Sequence, residues 1–351
     1  MAIKTRVGTV HNKSLARQIV HWDSKGHDVS QVRNAQEMVN QAGLDWEVKL
    51  SPIVTPNGTE TVWNLAVRED KDGSQIPLSV VPGKNWDALD NLSFCQRAMT
   101  VAEGFGGTVS RAGWLQKETT AVNQESFLWA MITPGYGMQD CIVEGYEGIK
   151  PLILLTSGTS YSRGYSAKMM FVRSLCQNGL VDLQATTMRS THQTTLGAFE
   201  NFTCEEVAQS IKQYARERDV LLNTQLNIDA AYAWFIRQYS KAEKLHVPIE
   251  NQSEKIRTLW AIYQGEMDKS FAEAGIDLAQ AQINGTYYGL LQSVVAYHNH
   301  FGRGRSDNTM MEIVSGDRAK EMDKVRQTLL EAARMRERNS GGISVGVRAF
   351  R

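Results

Sequence analysis

The hydrophobic pattern of this chain changes its period near residue 202, and that change divides the chain into two kinds of structure. Before it, apolar residues alternate with polar ones or form short runs bounded by turn residues, which is typical of strands. After Phe202, apolar residues recur at helical spacing, as Val207, Ile211 and Tyr214 do. We therefore predict an α+β fold in which a β-rich part precedes an all-helical part.

The first hundred residues show a regular order of helix and strand signals. Good helix formers fill residues 32–42, and Gly43 follows where a helix C-cap is expected. Three alternating runs come next, DWEVKL, TVWNLAV and QIPLSVV, and turn residues at 56–58 and 71–74 join them. We predict that these runs form an antiparallel meander and that a helix over residues 92–103 follows it.

Strand and helix signals occupy separate blocks of the remaining chain. Between residues 109 and 193 the candidate strands are VSRAGWLQ, SFLWAMI, PLILLTS, YSAKMMFV and TTMRSTH. Five helices are predicted after them: one opened by the capping box of Thr203 and Glu206, two with apolar stripes beginning at Ile228 and Ile256, one over 286–300 and one over 317–337. Asn251 and Glu254 are expected to cap the third.

These signals predict four parts. Residues 1–30 form an N-terminal arm, and residues 31–201 form an α+β domain with mostly antiparallel strands. Residues 202–337 form a helical region, and residues 338–351, rich in Gly and Ser, form a flexible tail.

Composition and charge exclude several classes of protein. The chain has 38 basic and 38 acidic side chains, so no global field would draw it to DNA or a membrane. Its four cysteines form no CxxC pair, which argues against a zinc site or a disulfide scaffold. No apolar stretch is long enough to cross a bilayer, and the first residues lack the apolar region of a secretory signal. We expect a cytoplasmic protein without cofactor or membrane partner.

A local excess of positive charge lies between residues 151 and 199, where four cations face Asp182 alone. Cations that reach phosphates and rings that stack on bases are what sequence-neutral binding of a single strand requires. The candidate phosphate contacts are Arg163, Lys168, Arg173 and Arg189, the candidate stacking rings are Tyr161 and Tyr165, and the segment GRGRS adds Arg303 and Arg305. A solvated surface is the other interpretation of these residues.

The stretch FVRSLCQNGL contains a candidate nucleophile, Cys176. In an enzyme, Arg173 would lower the thiol pKa, His192 would act as the base and Asn178 would orient it. The alternative is a small buried residue, because free cysteine is among the most buried residue types.

The histidines of AYHNHF invite a metal interpretation, which their spacing disfavours. Residues two apart on a helix point in nearly opposite directions, so His298 and His300 cannot hold one ion from one helix. We expect His298 in the core, His300 facing solvent and no metal site.

The run from PLILLTS through FVRSLCQNGL to MRSTHQ resembles the prokaryotic phage/plasmid-like protein family, a domain of unknown function numbered nine hundred and thirty-two. The segments AGLDWEV and NGTYYGLLQSVVAYHNH extend the resemblance over roughly residues 30–325. The chain departs from the family at two places. Gly179 stands where the family has Thr, and Ser-Gly-Thr-Ser at 157–160 stands where the family has His-Asp-Gly-Ser. The second departure disfavours an enzyme, because the chain lacks that His-Asp pair. The family's motif, Arg-Val-x-Cys-Gln-Asn-Thr-Leu followed by a strand with Arg-His, is matched by Arg173, Cys176, Gln177, Asn178 and Leu180, and loosely by Arg189 and His192.

The resemblance implies a protein carried by phages or plasmids, which would act in the host cytoplasm. The helix, meander, helix order is also similar to the core of single-strand annealing proteins, which form ring oligomers with a basic groove. We expect a homo-oligomer that binds single-stranded DNA in recombination or replication. The alternatives are an enzyme with a polar pocket around Arg173, Cys176, Asn178 and His192, and an interaction protein whose helical half docks onto a partner.

Overall fold

The computed structural model describes residues 26–83, 90–116, 126–135, 149–158, 164–173, 179–181, 188–190, 204–240, 247–273, 280–301, 311–314 and 316–339. They form an α+β fold, as the sequence predicts. The strands are β1 (His27–Asp28), β2 (Glu47–Val54), β3 (Glu60–Glu69), β4 (Gln75–Pro82), β5 (Thr108–Gln116), β6 (Ser126–Thr133), β7 (Ile149–Gly158), β8 (Tyr165–Arg173), β9 (Gly179–Val181) and β10 (Met188–Ser190). The helices are α1 (Ala35–Gln41), α2 (Asn91–Gly104), α3 (Cys204–Asn223), α4 (Ile228–Tyr239), α5 (Glu254–Tyr263), α6 (Asp268–Glu273), α7 (Tyr287–Ala296) and α8 (Asp317–Asn339).

The chain divides into two compact units, which we call the sheet unit and the helical unit. The sheet unit holds the described residues up to Gln213 and those from His298 to Lys320. The helical unit holds those from Tyr214 to Tyr297 and from Glu321 onward. The division therefore falls within α3, and residues 298–320 belong to the sheet unit although they follow the five helices α3 to α7.

The meander predicted from three alternating runs is present as the sheet β2-β3-β4, with both pairs antiparallel. The turn at 55–59 is closed by a bond from Thr55 N to Thr59 O of 2.8 Å, and Gly58 adopts φ +83°. Glycine suits that position because the left-handed region strains residues with a Cβ atom. Turn chemistry and alternation together therefore determine this register.

Helices precede and follow the meander, and side chains fix where each begins. Asn34 caps α1 by accepting from Glu37 N at 2.9 Å. Asp90 caps α2, and Asn91 donates from Nδ2 to Leu44 O at 2.7 Å, which ties the start of α2 to the chain that leads into β2. The predicted order of helix, three strands and helix is confirmed.

The larger sheet has the order β1-β5-β6-β7-β8-β10 in the described residues, and β9 also pairs with β8. Its described pairs are antiparallel. The side chains of 127–132, 152–155 and 165–172 are buried on both faces of the central strands. Helix α2 packs against β5 and β6. Such two-sided burial explains why these strands appear in the sequence as nearly continuous apolar runs.

The helical unit is built around aromatic and aliphatic packing. Trp260 of α5 stacks on Tyr263 at 5.7 Å and meets Phe235 and Tyr232 of α4 edge-on. Ser253 caps α5 by accepting from Ile256 N at 3.5 Å. The predicted caps are therefore wrong, because Asn251 ends a short 3₁₀ turn and Glu254 is already helical.

Helix α7 continues into a π-helical turn, Tyr297–Phe301. His298 is buried, as predicted, but His300 is buried as well, so its predicted exposure is wrong. The i→i+5 bonds of a π-helix change the angle between successive residues, so α-helical spacing no longer predicts which residues face solvent. Arg318 Nη1 also donates to the carbonyl oxygen of His298 at 2.8 Å.

Candidate nucleic-acid interface

Two of the residues predicted to contact DNA lie inside the sheet unit. Lys168 is 3% exposed, and its Nζ donates to Val314 O at 3.0 Å. Tyr165 is 2% exposed. Because side chains alternate along a strand, these two residues lie on opposite faces of β8, and both faces are covered. Lys168 therefore cannot reach a phosphate in this fold, and Tyr165 cannot stack on a base.

The strand pairing brings Arg189 and both ends of the β7–β8 connection to the start of β8. Gly158 N lies 3.3 Å from Gly164 O, so the ends of the β7–β8 connection meet there. Tyr161 and Arg163 belong to this connection, 159–163, which lies outside the described residues. On the neighbouring strand β10, Arg189 pairs with Ser166 and Ser190 with Tyr165.

Helix α2 adds a cation to the Tyr165 face of this strand end, whereas position 189, which pairs with Ser166, belongs to the opposite face. The guanidinium carbon of Arg97 lies 5.7 Å from the centre of the Tyr165 ring. No local pattern in the sequence points to Arg97, because its position depends on the packing of α2 against the large sheet. The apolar stripe of α2 at Phe94, Ala98 and Ala102 is the one signal that could have shown which side of the helix meets the sheet. We call Arg97, Arg189 and the ends of the 159–163 connection the basic edge.

Arg173 lies at the other end of β8, where its backbone pairs with Ile149. It is seven residues from Ser166, the partner of Arg189, which corresponds to about 23 Å along a strand. The predicted cations therefore do not form one compact cluster. A ligand that contacts both ends must be an extended one.

Further predicted site residues lie outside the described residues: Cys176, Gln177, Asn178, His192, Arg303 and Arg305. Within the described residues, no group of His, Cys, Asp and Glu side chains is arranged to hold a metal ion.

Polar side chains are also buried on the Lys168 face of the large sheet. Thr156 Oγ1 and Ser166 Oγ lie 2.6 Å apart on paired positions of β7 and β8. This hydroxyl pair satisfies its polar atoms internally, which is what burial requires.

The thiol of Cys95, on α2, is buried, and burial with the nearby Asp90 carboxylate raises its pKa to about 12. At neutral pH it is therefore protonated, and a protonated thiol is a poor nucleophile.

A second group of aromatic and cationic residues lies where the meander meets β5. Arg68 lies over both Trp46 and Trp114, with its guanidinium carbon 4.8 and 4.7 Å from the two ring centres, and the two rings meet edge-on at 5.7 Å. Its Nη2 also lies 2.6 Å from Asp70 Oδ1. Because both ring faces and the carboxylate are already engaged by Arg68, this group acts as a packing element of the sheet unit.

The fold is that of an α+β protein whose large antiparallel sheet has its central strands buried on both faces. A family model described as "Domain of unknown function (DUF932)" matches residues 94–331, and the chain belongs to that family. No curated protein and no solved structure matches the chain. None of the helices in the described part of the chain combines the length and apolar character that a membrane span requires.

Proposed function

We propose that the chain binds single-stranded DNA at the basic edge. Three observations support this proposal: position 189 pairs with Ser166, Arg97 contacts the ring of Tyr165, and the two ends of the 159–163 connection, Gly158 and Gly164, meet at the start of β8. By sequence, that connection contributes Tyr161 and Arg163. Phosphates and bases would thus meet cations and a ring within one region.

The covered faces of the large sheet restrict how such a ligand could bind. Bases cannot stack on the middle of β6, β7 or β8, because the side chains there are buried. Contact is left to strand β10, to Arg97 in the middle of α2 and to the strand connections. Binding through phosphates and one or two stacked bases is tolerant of sequence, so we propose a sequence-neutral activity.

Because the net charge of the chain is zero, DNA binding would require a local group of cations, and the salt dependence of the affinity would reveal it. Each phosphate that is neutralised releases counterions, so affinity falls as salt rises. The activity that fits is the annealing or protection of strands during phage or plasmid recombination or replication, in the cytoplasm of the host. Arg173, about 23 Å from the Arg189 pairing position, would then contact a later phosphate of the same strand.

Fluorescence anisotropy with a labelled oligothymidylate tests this proposal at about 50 mM salt. We expect Arg97→Ala and Arg189→Ala each to weaken binding several-fold, and the double variant to weaken it further. Arg237→Ala is the matched control, because Arg237 is an exposed arginine of α4 in the helical unit. No binding by the wild-type chain at micromolar concentration would overturn the proposal, and so would equal losses in the control.

A further inference from the structure

The hairpin formed by β2 and β3 exposes apolar side chains on both of its faces. Val62 is 72% exposed. Leu50 pairs with Ala66 and therefore shares the face of Val62, while Trp63 lies on the opposite face. The exposed apolar residues of this hairpin end are Leu50, Val54, Val62 and Trp63. Isolated exposed apolar residues are ordinary, but four on one hairpin, with Leu50, Val54 and Val62 on the same face, indicate an interaction surface.

The charged side chains around this hairpin that form no ion pair with a described residue include three acidic ones. Between residues 50 and 67, Glu60 is the one charged side chain. Elsewhere in the meander the cations are used in ion pairs, Lys49 with Glu69, Arg68 with Asp70 and Lys71 with Asp45. Glu47, Glu60 and Asp72 make no ion pair with another described residue. The hairpin end is therefore apolar and acidic, which also makes it a poor site for DNA.

Prolines restrict how a partner could bind here. Pro52 lies on the edge strand β2, and Pro77 and Pro82 lie on the edge strand β4. Proline cannot donate a main-chain hydrogen bond, so edges that contain it resist the addition of another strand. A partner would have to contact the side chains of the hairpin, and its chemistry would have to be apolar and basic.

The end of α8 has that chemistry. Met335 is 60% exposed, and Arg334 and Arg338 beside it are exposed as well. Arg334 and Arg338 are four residues apart and Met335 and Arg338 three, so the three side chains share one side of the helix. The segment that follows, 340–351, contains Arg348 and Arg351 and no acidic residue.

We propose that the chain associates with a second copy of itself, head to tail. The α8 end of one copy, Arg334, Met335 and Arg338, docks onto the hairpin face of the next copy that carries Leu50, Val54, Glu60 and Val62. Both surfaces are exposed within one chain, so each is available to another copy. A symmetric contact between two hairpins would place two Glu60 carboxylates together, which like-charge repulsion disfavours. Each contact therefore joins two different surfaces, and repeating it closes a reciprocal dimer or a ring or extends a filament.

Sedimentation velocity of the full chain, freed of nucleic acid, tests this contact over a range of protein concentrations. We expect association that increases with concentration and weakens as salt rises, because charges contribute to it. Glu60→Arg and Arg338→Glu should each reduce association at least tenfold. Glu103→Arg, a charge reversal at an exposed residue of α2, is the matched control and should leave association unchanged.

Mixing the two interface variants separates a contact between copies from an effect on folding. The Glu60→Arg chain retains a normal α8 end, and the Arg338→Glu chain retains a normal hairpin end. An equimolar mixture should therefore associate more strongly than either variant does alone. A wild-type chain that stays monomeric at low salt would overturn the proposal, as would association that survives both variants or a mixture that fails to recover it. None of these outcomes depends on whether the chain binds DNA.

Discussion

Lys168 Nζ donates to the carbonyl oxygen of Val314 at 3.0 Å, which joins a central strand to a segment 146 residues further along the chain. The lysine is buried, so its aliphatic stem also packs against its neighbours. We predict that Lys168→Ala lowers the free energy of unfolding by about 3 kcal/mol, because packing and a charge-assisted hydrogen bond are lost together.

Denaturant titration measures this change, and Lys49→Ala at an exposed ion pair is the control that should show none. The salt dependence of DNA binding should be the same for folded Lys168→Ala as for the wild type. Unchanged stability combined with weaker DNA binding would instead make Lys168 a phosphate contact, as the sequence suggests.

Arg68 contacts the rings of both Trp46 and Trp114, so we predict that its removal loosens the junction of the meander with β5. Arg68→Ala should cost about 1–2 kcal/mol of unfolding free energy and shift the tryptophan emission, since two cation–π contacts are lost. The stability of Arg68→Lys should fall between those of the wild type and Arg68→Ala, because an ammonium group keeps the charge but lacks the planar surface of the guanidinium. An unchanged emission spectrum would show that the arginine does not order these rings.

Arg326 lies buried in the helical unit, 3.3 Å from Glu217 Oε2 and 2.9 Å from Asp323 Oδ1. We predict that Arg326→Met destabilises the chain by about 3–5 kcal/mol, because it removes a cation that is ion-paired with the buried Glu217 carboxylate. Adding Glu217→Leu to the same chain should recover much of the loss. Thermal or denaturant unfolding of the single and double variants checks this, and a double variant less stable than Arg326→Met would contradict it.

Cys95 makes the stability of the chain depend on pH in the alkaline range. Burial raises the pKa of its thiol from 9.0 to about 12, so the folded state keeps a proton that the unfolded state releases. This stabilisation is fully present below pH 9 and is lost as pH rises toward 12. Between pH 9 and about 12, the free energy of unfolding of the wild type should fall by about 1.4 kcal/mol per pH unit relative to that of Cys95→Ala. A difference that stays constant from pH 8 to about 10 would contradict the burial of this thiol.

Local patterns predicted the order of elements well. The alternating runs and the turns at 56–58 and 71–74 predicted the meander, and helix formers bounded by Gly43 predicted α1. These signals act between neighbouring residues, so the sequence displays them directly. The caps of α5 were predicted wrongly because Asn251, Ser253 and Glu254 are all suitable residues, and the chain path decides among them.

The candidate site was harder to predict because it depends on contacts between distant segments. A lysine and a tyrosine in a basic stretch look like surface residues, but the helix α2 and the segment 311–314 cover the two faces of β8 and bury them. The same packing brings Arg97 to Tyr165, across 68 positions that carry no common pattern. The π-helical turn after α7 likewise has no signature in the spacing of His298 and His300.

The salt dependence of oligothymidylate binding tests the central claim most directly. For a chain that binds single strands through phosphates, the logarithm of the association constant should fall linearly with the logarithm of salt concentration, with a slope of about −0.7 for each phosphate neutralised. We predict that Arg189→Ala makes this slope shallower by about 0.7 while Arg237→Ala leaves it unchanged. A slope near zero, or one that Arg189→Ala and Arg97→Ala both leave unchanged, would contradict the assignment of the basic edge.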